Sequence, residues 1–158
     1  MNTPSGVMRR PAEILHVDDQ ADYAELTREA FKMSSAAVNL HYAKDGEQCM
    51  AFIRREGMYA DAPTPDIILL DLNMPRMDGR EVLLAISKDE SLRHLPVVIL
   101  TTSAEEEEIL KMYQLRCSFY IVKPLDFNEL IRVIKSFTDL WLTVAILPST
   151  RSAEEITL

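Results

Sequence analysis

The stretch "ILHVDDQAD" (residues 14–22) passes from an apolar run straight into two adjacent carboxylates, Asp18 and Asp19. One Asp closing a strand is ordinary turn chemistry, but two side by side repel, so the pair must face a cation or a reacting group. Outward from it lie further apolar runs of strand length. "EILHV" (13–17) is joined by "DIILLD" (66–71), "PVVILTT" (96–102) and "FYIV" (119–122), with "VNLHY" (38–42) a weaker fifth. Near-continuous Ile, Val and Leu of this kind fit parallel strands covered on both faces, although periodicity alone leaves buried helix open.

Between these runs the apolar spacing is helical. Leu26, Ala30 and Phe31 share a face, as do Cys49, Phe52 and Ile53; Val82, Leu83 and Ile86; and Ile109, Met112 and Tyr113 after the acidic "AEEEE". Glutamates in a first helical turn complement the helix dipole, and "EEEE" (105–108) is most simply a solvated helix start. The last stripe, Leu130, Ile131, Ile134, Phe137 and Trp141, follows "DFNE", in which Asp126 and Glu129 have the spacing of a capping box. Strand and helix alternate five times, which predicts an α/β fold with a doubly wound parallel sheet and right-handed crossovers. The stretch "REGMYADAPTPD" (55–66) is predicted to be an exposed loop.

Composition bounds the function. With 158 residues the chain suits one domain, and 17 Lys+Arg against 25 Asp+Glu leave a net charge of -8, which disfavours nucleic acid and anionic membranes as partners. Cys49 and Cys117 lie in apolar surroundings and read as small core residues of a reducing cytosol. No secretory signal and no bilayer-length apolar run is visible, so the expected location is cytoplasmic. The expected organisation is a flexible N-terminus (1–11), one domain (12–141) and a tail (142–158) that is apolar, then polar.

In an open α/β sheet, ligands bind beyond the carboxyl ends of the strands. The runs end at Asp18 and Asp19, at Asp71, at Thr101 with Thr102, and at Lys123 followed by Pro124. Three converging carboxylates need a counter-charge. Magnesium suits them, being a hard ion that takes one or two carboxylates and a phosphoryl oxygen; the chain has no EF-hand loop for calcium. If Asp71 attacks a phosphoryl group, the product is an aspartyl phosphate, with the metal, Lys123 and Thr101 each binding a different phosphoryl oxygen.

The segments "HVDD", "ILLDLNMPRMDG", "VVILTTS" and "YIVKP" resemble the receiver domain of two-component response regulators, over about residues 12–140. The intervals from Asp71 of 30 residues to Thr101 and 52 to Lys123 also resemble those of the single-domain chemotaxis regulator. The resemblance implies a flavodoxin-like sheet of strand order 2-1-3-4-5. It implies Asp71 as phosphoacceptor, Asp18 and Asp19 as metal carboxylates, and Asn73 as a backbone-carbonyl metal ligand. Thr101 becomes the switch hydroxyl, Lys123 the phosphate-binding ammonium and Tyr120 the aromatic that moves with the switch. Asn73 and Ser103 take the positions that tune dephosphorylation, and the bond to Pro124 is expected to be cis. Mg2+ is the implied ion, with Mn2+ able to substitute.

The loop before Asp71, "DLNMPRMDGREVL" and the tail "FTDLWLTVAILP" are further similar to the response regulators paired with bacterial, cyanobacterial-type phytochromes. That implies a single-domain regulator phosphorylated by a phytochrome-type histidine kinase, and a homodimer built from the last helix and tail. No enzymatic activity is expected beyond self-catalysed phosphotransfer and slow autodephosphorylation. A phosphorelay intermediate or phosphate sink is the alternative output. The rival enzyme, a haloacid-dehalogenase-like phosphatase, wants a second Asp where this chain has Asn73. Two departures stand out: Arg116 occupies a position where many receivers carry Gly, and His16 replaces an aliphatic residue and is expected to pack in the core.

Overall fold

The computed structural model describes residues 10–144, with side chains over 10–142. Five parallel strands, β1 (Ala12–Val17), β2 (Val38–Ala43), β3 (Ile67–Leu70), β4 (Val97–Thr101) and β5 (Phe119–Val122), form one sheet in the order 2-1-3-4-5. Each is followed by a helix: α1 (Ala21–Met33), α2 (Gly46–Arg54), α3 (Gly79–Lys88), α4 (Glu106–Gln114) and α5 (Phe127–Thr138). The register pairs Ile14 with Ile67 and Leu70 with Ile99.

Because successive strand residues point to opposite faces, each central strand feeds two cores. Leu15, Val17, Ile68, Leu70, Val97 and Ile99 meet α2, α3 and α4, whereas Ile14, Ile67, Leu69 and Val98 meet α1 and α5. That double burial is why these runs lack polar alternation. Helix starts are set by side chains that accept otherwise orphaned N–H groups. Asp45 accepts from Gln48 N at α2, Asp126 from Asn128 N at α5, and Asp78 with Glu81 forms a full capping box at α3. The box expected at Asp126 and Glu129 is not made, because Glu129 turns outward to Arg132.

The helical stripes hold with two exchanges. In α1 Leu26 is exposed and Thr27 is buried in its place. Thr27 tolerates this because its hydroxyl donates to the Tyr23 carbonyl one turn back, at 2.9 Å. In α4 only Met112 is buried, and Tyr113 lies on the surface. The 55–66 connection is more than an exposed loop: it contains a 3₁₀ turn, Gly57–Tyr59, whose Tyr59 packs against Phe52 with ring centroids 5.4 Å apart.

The turn after α4 keeps its left-handed residue without glycine. Arg116 has φ 74, and the N–H of Cys117 bonds back to the Met112 carbonyl. An L residue there pays a Cβ penalty of roughly 1–2 kcal/mol, part of which glycine returns through its greater unfolded-state freedom. Arg116→Gly is therefore expected to stabilise the fold by about 0.5–1 kcal/mol in urea denaturation, while Arg116→Ala gives no gain.

Candidate functional site

The site lies where four strands end. The ladder continues past the strands: Asp18 N bonds to Ala43 O at 3.1 Å, Asp71 N to Val17 O at 2.9 Å and Lys123 N to Thr101 O at 2.7 Å. These bonds fix the backbone positions from which the side chains converge. Asp18, Asp71, Thr101 and Lys123 are all buried, whereas Asp19 is exposed at the rim.

Lys123 Nζ lies 2.7 Å from Asp18 Oδ2 and 3.1 Å from Asp71 Oδ2. It also sits 4.6 Å from the centre of the Tyr23 ring, whose negative face favours a cation. Oxygens of Asp18, Asp19 and Asp71 lie within 4.8 Å of one another. Two of the three carboxylates share one ammonium, and the remaining negative charge is what a divalent cation would neutralise. The residues fit such an ion: Asp18, Asp19 and Asp71 would hold it, and it would supply charge neutralisation and an anchor for a phosphoryl oxygen.

The electrostatics reflect this crowding. Burial pushes the Asp18 carboxyl above its ordinary range, and Lys123 and the Gln20 N–H pull against that shift. Burial, with Asp18 and Asp71 nearby, raises the Tyr23 hydroxyl to about 12. His16, expected in the core, is there: it is 1% exposed, and burial together with Lys123 lowers its pKa to about 4. Its ring Nε2 is 3.7 Å from Asp18 Oδ2, so a neutral imidazole lies directly beneath the acidic cluster.

The other expected site residues are placed as follows. Thr101 Oγ1 is buried without a hydrogen-bond partner. Tyr120 is half-buried against the core, and its hydroxyl donates to the Ser103 carbonyl at 2.8 Å. Asn73 is exposed, its N–H 3.5 Å from Asp71 Oδ1, and Ser103 is half-buried. The expectation of a cis bond before Pro124 is corrected: no cis peptide occurs among the described residues. An X–Pro bond keeps a trans preference of about 0.5–1 kcal/mol, and Lys123 reaches both carboxylates from the trans geometry.

Three supports escaped the sequence. Tyr23 provides the ring under Lys123, Tyr42 donates its hydroxyl to the Asp18 carbonyl at 2.6 Å, and Arg76 donates to Asp45 Oδ2 at 2.9 Å. Arg76 takes φ 66 in the loop that follows Asp71, and the Gly46 N–H bonds to the Met77 carbonyl beside it. The loop is thereby tied to the start of α2. Two tyrosines and an arginine at these positions carry no local motif, so only the long-range fold reveals them.

Residues 14–135 match the response regulator receiver domain, and the chain belongs to that family. Response regulator receivers are generally not enzymes. The chain is similar to the response regulator Rcp1 of Synechocystis, with 37% identity over 139 residues that span 88% of this chain and 95% of Rcp1. The structure of the phosphorylated cyanobacterial phytochrome response regulator RcpA superposes with a TM-score of 0.84 at 40% identity, covering 89% of this chain and 100% of that one. The Mn(2+)-bound form of Rcp1 gives 0.82 at 37% identity, covering 88% and 100%. A response regulator in red light signalling of R. palustris, RPA3017, gives 0.83 at 35% identity, covering 87% and 99%.

His16 makes the fold acid-sensitive. Its folded pKa of about 4 lies below the ordinary 6.5, so the unfolded chain binds the extra proton between those values. The stability this protects is present above the ordinary value and is lost as pH falls toward the folded one. In metal-free protein, acidification from pH 6.5 to 4 should cost wild type about 3 kcal/mol more than His16→Leu, measured by urea denaturation at each pH.

Proposed function

We propose that this receiver takes one phosphoryl group from a histidine kinase onto Asp71, in the presence of Mg2+, and signals through the resulting change of conformation. The observation that carries the reading is the convergence of Asp71 with Asp18 and the buried ammonium of Lys123. A phosphorylatable carboxylate needs a cation at hand for the incoming charge and neighbours that can bind metal. Manganese substitutes for magnesium on this reading, which the Mn(2+)-bound form of Rcp1 supports.

In this mechanism an oxygen of Asp71 forms a bond to phosphorus while the bond to the donor's nitrogen breaks. Lys123 transfers its interaction from the carboxylates to a phosphoryl oxygen. The unpartnered hydroxyl of Thr101 donates to a second, moving the segment that runs through Ser103. Asn73 and Ser103 border the approach of the hydrolytic water. Asn73 lacks the acidity a phosphatase would require at that position, which favours a phosphoacceptor over a turnover enzyme.

Similarity to Rcp1 and RcpA supports a phytochrome-type histidine kinase as donor, and with it a cytoplasmic setting. No helix among the described residues is long and apolar enough to cross a membrane.

A homodimer through α5 and the segment after it is also proposed. α5 runs on into a π-helical stretch, Asp139–Val144, whose Trp141 stacks on Phe137 at 6.2 Å and meets Phe119 edge-on at 5.5 Å. Trp141 and Leu142 therefore pack on their own domain, while Ile146 and Leu147 lie outside the described residues. What favours an interface is the apolar groove beside them, between β5 and α5, together with exposed Phe119, Val122 and Leu140.

With acetyl phosphate and Mg2+, intact-mass measurement should show one added phosphoryl group on wild type and none on Asp71→Asn. Equal labelling of both would remove Asp71 from the mechanism. Light scattering on the full chain should give a dimer that Val122→Glu with Leu140→Glu converts to monomer. A wild-type monomer at high micromolar concentration would leave the groove without this role.

A further inference from the structure

The ammonium of Lys123 has a third neighbour besides its two carboxylates. Its nitrogen lies over the face of the Tyr23 ring, 4.6 Å from the centre, and Lys123 as a whole is 5% exposed. Tyr23 stands in the first turn of α1, so the chain that leaves β1 through Asp18 and Asp19 brings the ring back to the same rim within a few residues. The ring is anchored there. It packs against the cluster that contains Ile14, Phe31, Ile67 and Leu130, on the side of the sheet that α1 and α5 cover. The Tyr23 hydroxyl makes no hydrogen bond to the described residues, so what the ammonium meets is the ring face.

A lysine carries a point charge on a flexible four-carbon stem, and its three donors do not by themselves fix where the nitrogen rests. Two of the neighbours here are carboxylates, at 2.7 Å and 3.1 Å. A further carboxylate would also hold the nitrogen, but the rim already carries Asp18, Asp19 and Asp71, and more negative charge would repel a phosphoryl donor. An aromatic face avoids that conflict. It attracts the cation through its quadrupole, most strongly where water is excluded, and carries no net charge. Burial, with Asp18 and Asp71 nearby, raises the hydroxyl to about 12, so the ring stays uncharged at neutral pH. An aliphatic side chain would fill the space and offer the ammonium no such attraction.

We propose that Tyr23 is a positioning residue for phosphoryl transfer, its ring face holding the Lys123 ammonium beside the Asp71 carboxylate. This rests on Asp71 being the phosphoacceptor. An ammonium already in place meets the charge of the incoming phosphoryl group without reorganising at the moment of reaction, which is where fixed charges contribute most. Without the ring the nitrogen samples more positions, and transfer slows. Tyr23 acts through Lys123 alone.

The experiment follows labelling of the full chain by acetyl phosphate in saturating Mg2+, read as the rate of mass gain, with Asp71→Asn as control. Tyr23→Leu should label roughly three- to tenfold more slowly than wild type, and Tyr23→Phe, which restores the ring, should recover the rate. In a Lys123→Met background Tyr23→Leu should cause no further slowing, because the group it positions is gone. Phenylalanines with increasing numbers of ring fluorines at position 23 drain the negative face at nearly constant shape, and labelling should slow in step with their number. That series decides the matter if Tyr23→Leu fails to fold or Lys123→Met labels too slowly to measure. Tyr23→Leu labelling as fast as wild type, an equal slowing in both backgrounds, or a flat fluorine series overturns the positioning role and leaves Asp71 as phosphoacceptor. If Asp71→Asn labels like wild type, the phosphoacceptor reading fails, and the positioning role with it.

Discussion

The buried ammonium of Lys123, held between Asp18 and Asp71, is the interaction on which the arrangement of the site depends. Carboxylates that are 0% and 5% exposed repel one another and need a counter-charge at hand, and this ammonium is it. The sheet order supplies the geometry. Placing β1 next to β3, although they are not neighbours in the chain, brings the two aspartates side by side. The ladder through β4 to β5 then delivers Lys123 from the far strand, 52 residues after Asp71. The loop after Asp71 must also turn back closely. A Cβ on Gly79 would lie 2.1 Å from the Asp71 carbonyl oxygen, so α3 can begin there only with glycine.

The legible part of the fold was the part with short period. Each apolar run is a strand because both its faces are covered, and each predicted helix is present because its apolar residues recur at helical spacing. Strand ends could be read as a site because the physical rule for open α/β sheets names them in advance. Asp18, Asp71, Thr101 and Lys123 do meet at that rim. The strand order itself came from resemblance, since alternation alone admits several orders.

What stayed hidden depends on partners distant in sequence. Arg80 and Glu108 are 28 residues apart, and Arg76 and Asp45 are 31 apart, so neither pair leaves a local pattern. The exchange of Leu26 for Thr27 in α1 turned on a hydroxyl finding the carbonyl one turn back, which hydrophobicity cannot anticipate. The capping spacing at Asp126 and Glu129 was correct in form but lost to Arg132, which competes for the same carboxylate. Arg116 shows the reverse case: the residue departs from the usual glycine while the backbone keeps the left-handed turn, so the turn geometry outweighs the local preference.

An added phosphoryl oxygen would compete with the two carboxylates for the N–H donors of Lys123. A move of Lys123 in that direction would strip Asp18 of the interaction that most opposes the cost of its burial. Beneath Asp18 the neutral ring of His16 offers no positive charge in exchange, because burial and Lys123 itself hold its pKa down to about 4. Tyr42 bonds the Asp18 carbonyl and leaves its carboxylate untouched. Beyond the Gln20 N–H at 2.9 Å, a cation at the open side, where Asp19 is exposed, would then compensate Asp18. On the proposed reading, a cation held by these carboxylates would take over the compensation of Asp18 that Lys123 gives up to a phosphoryl oxygen, so that metal binding would support phosphoryl transfer.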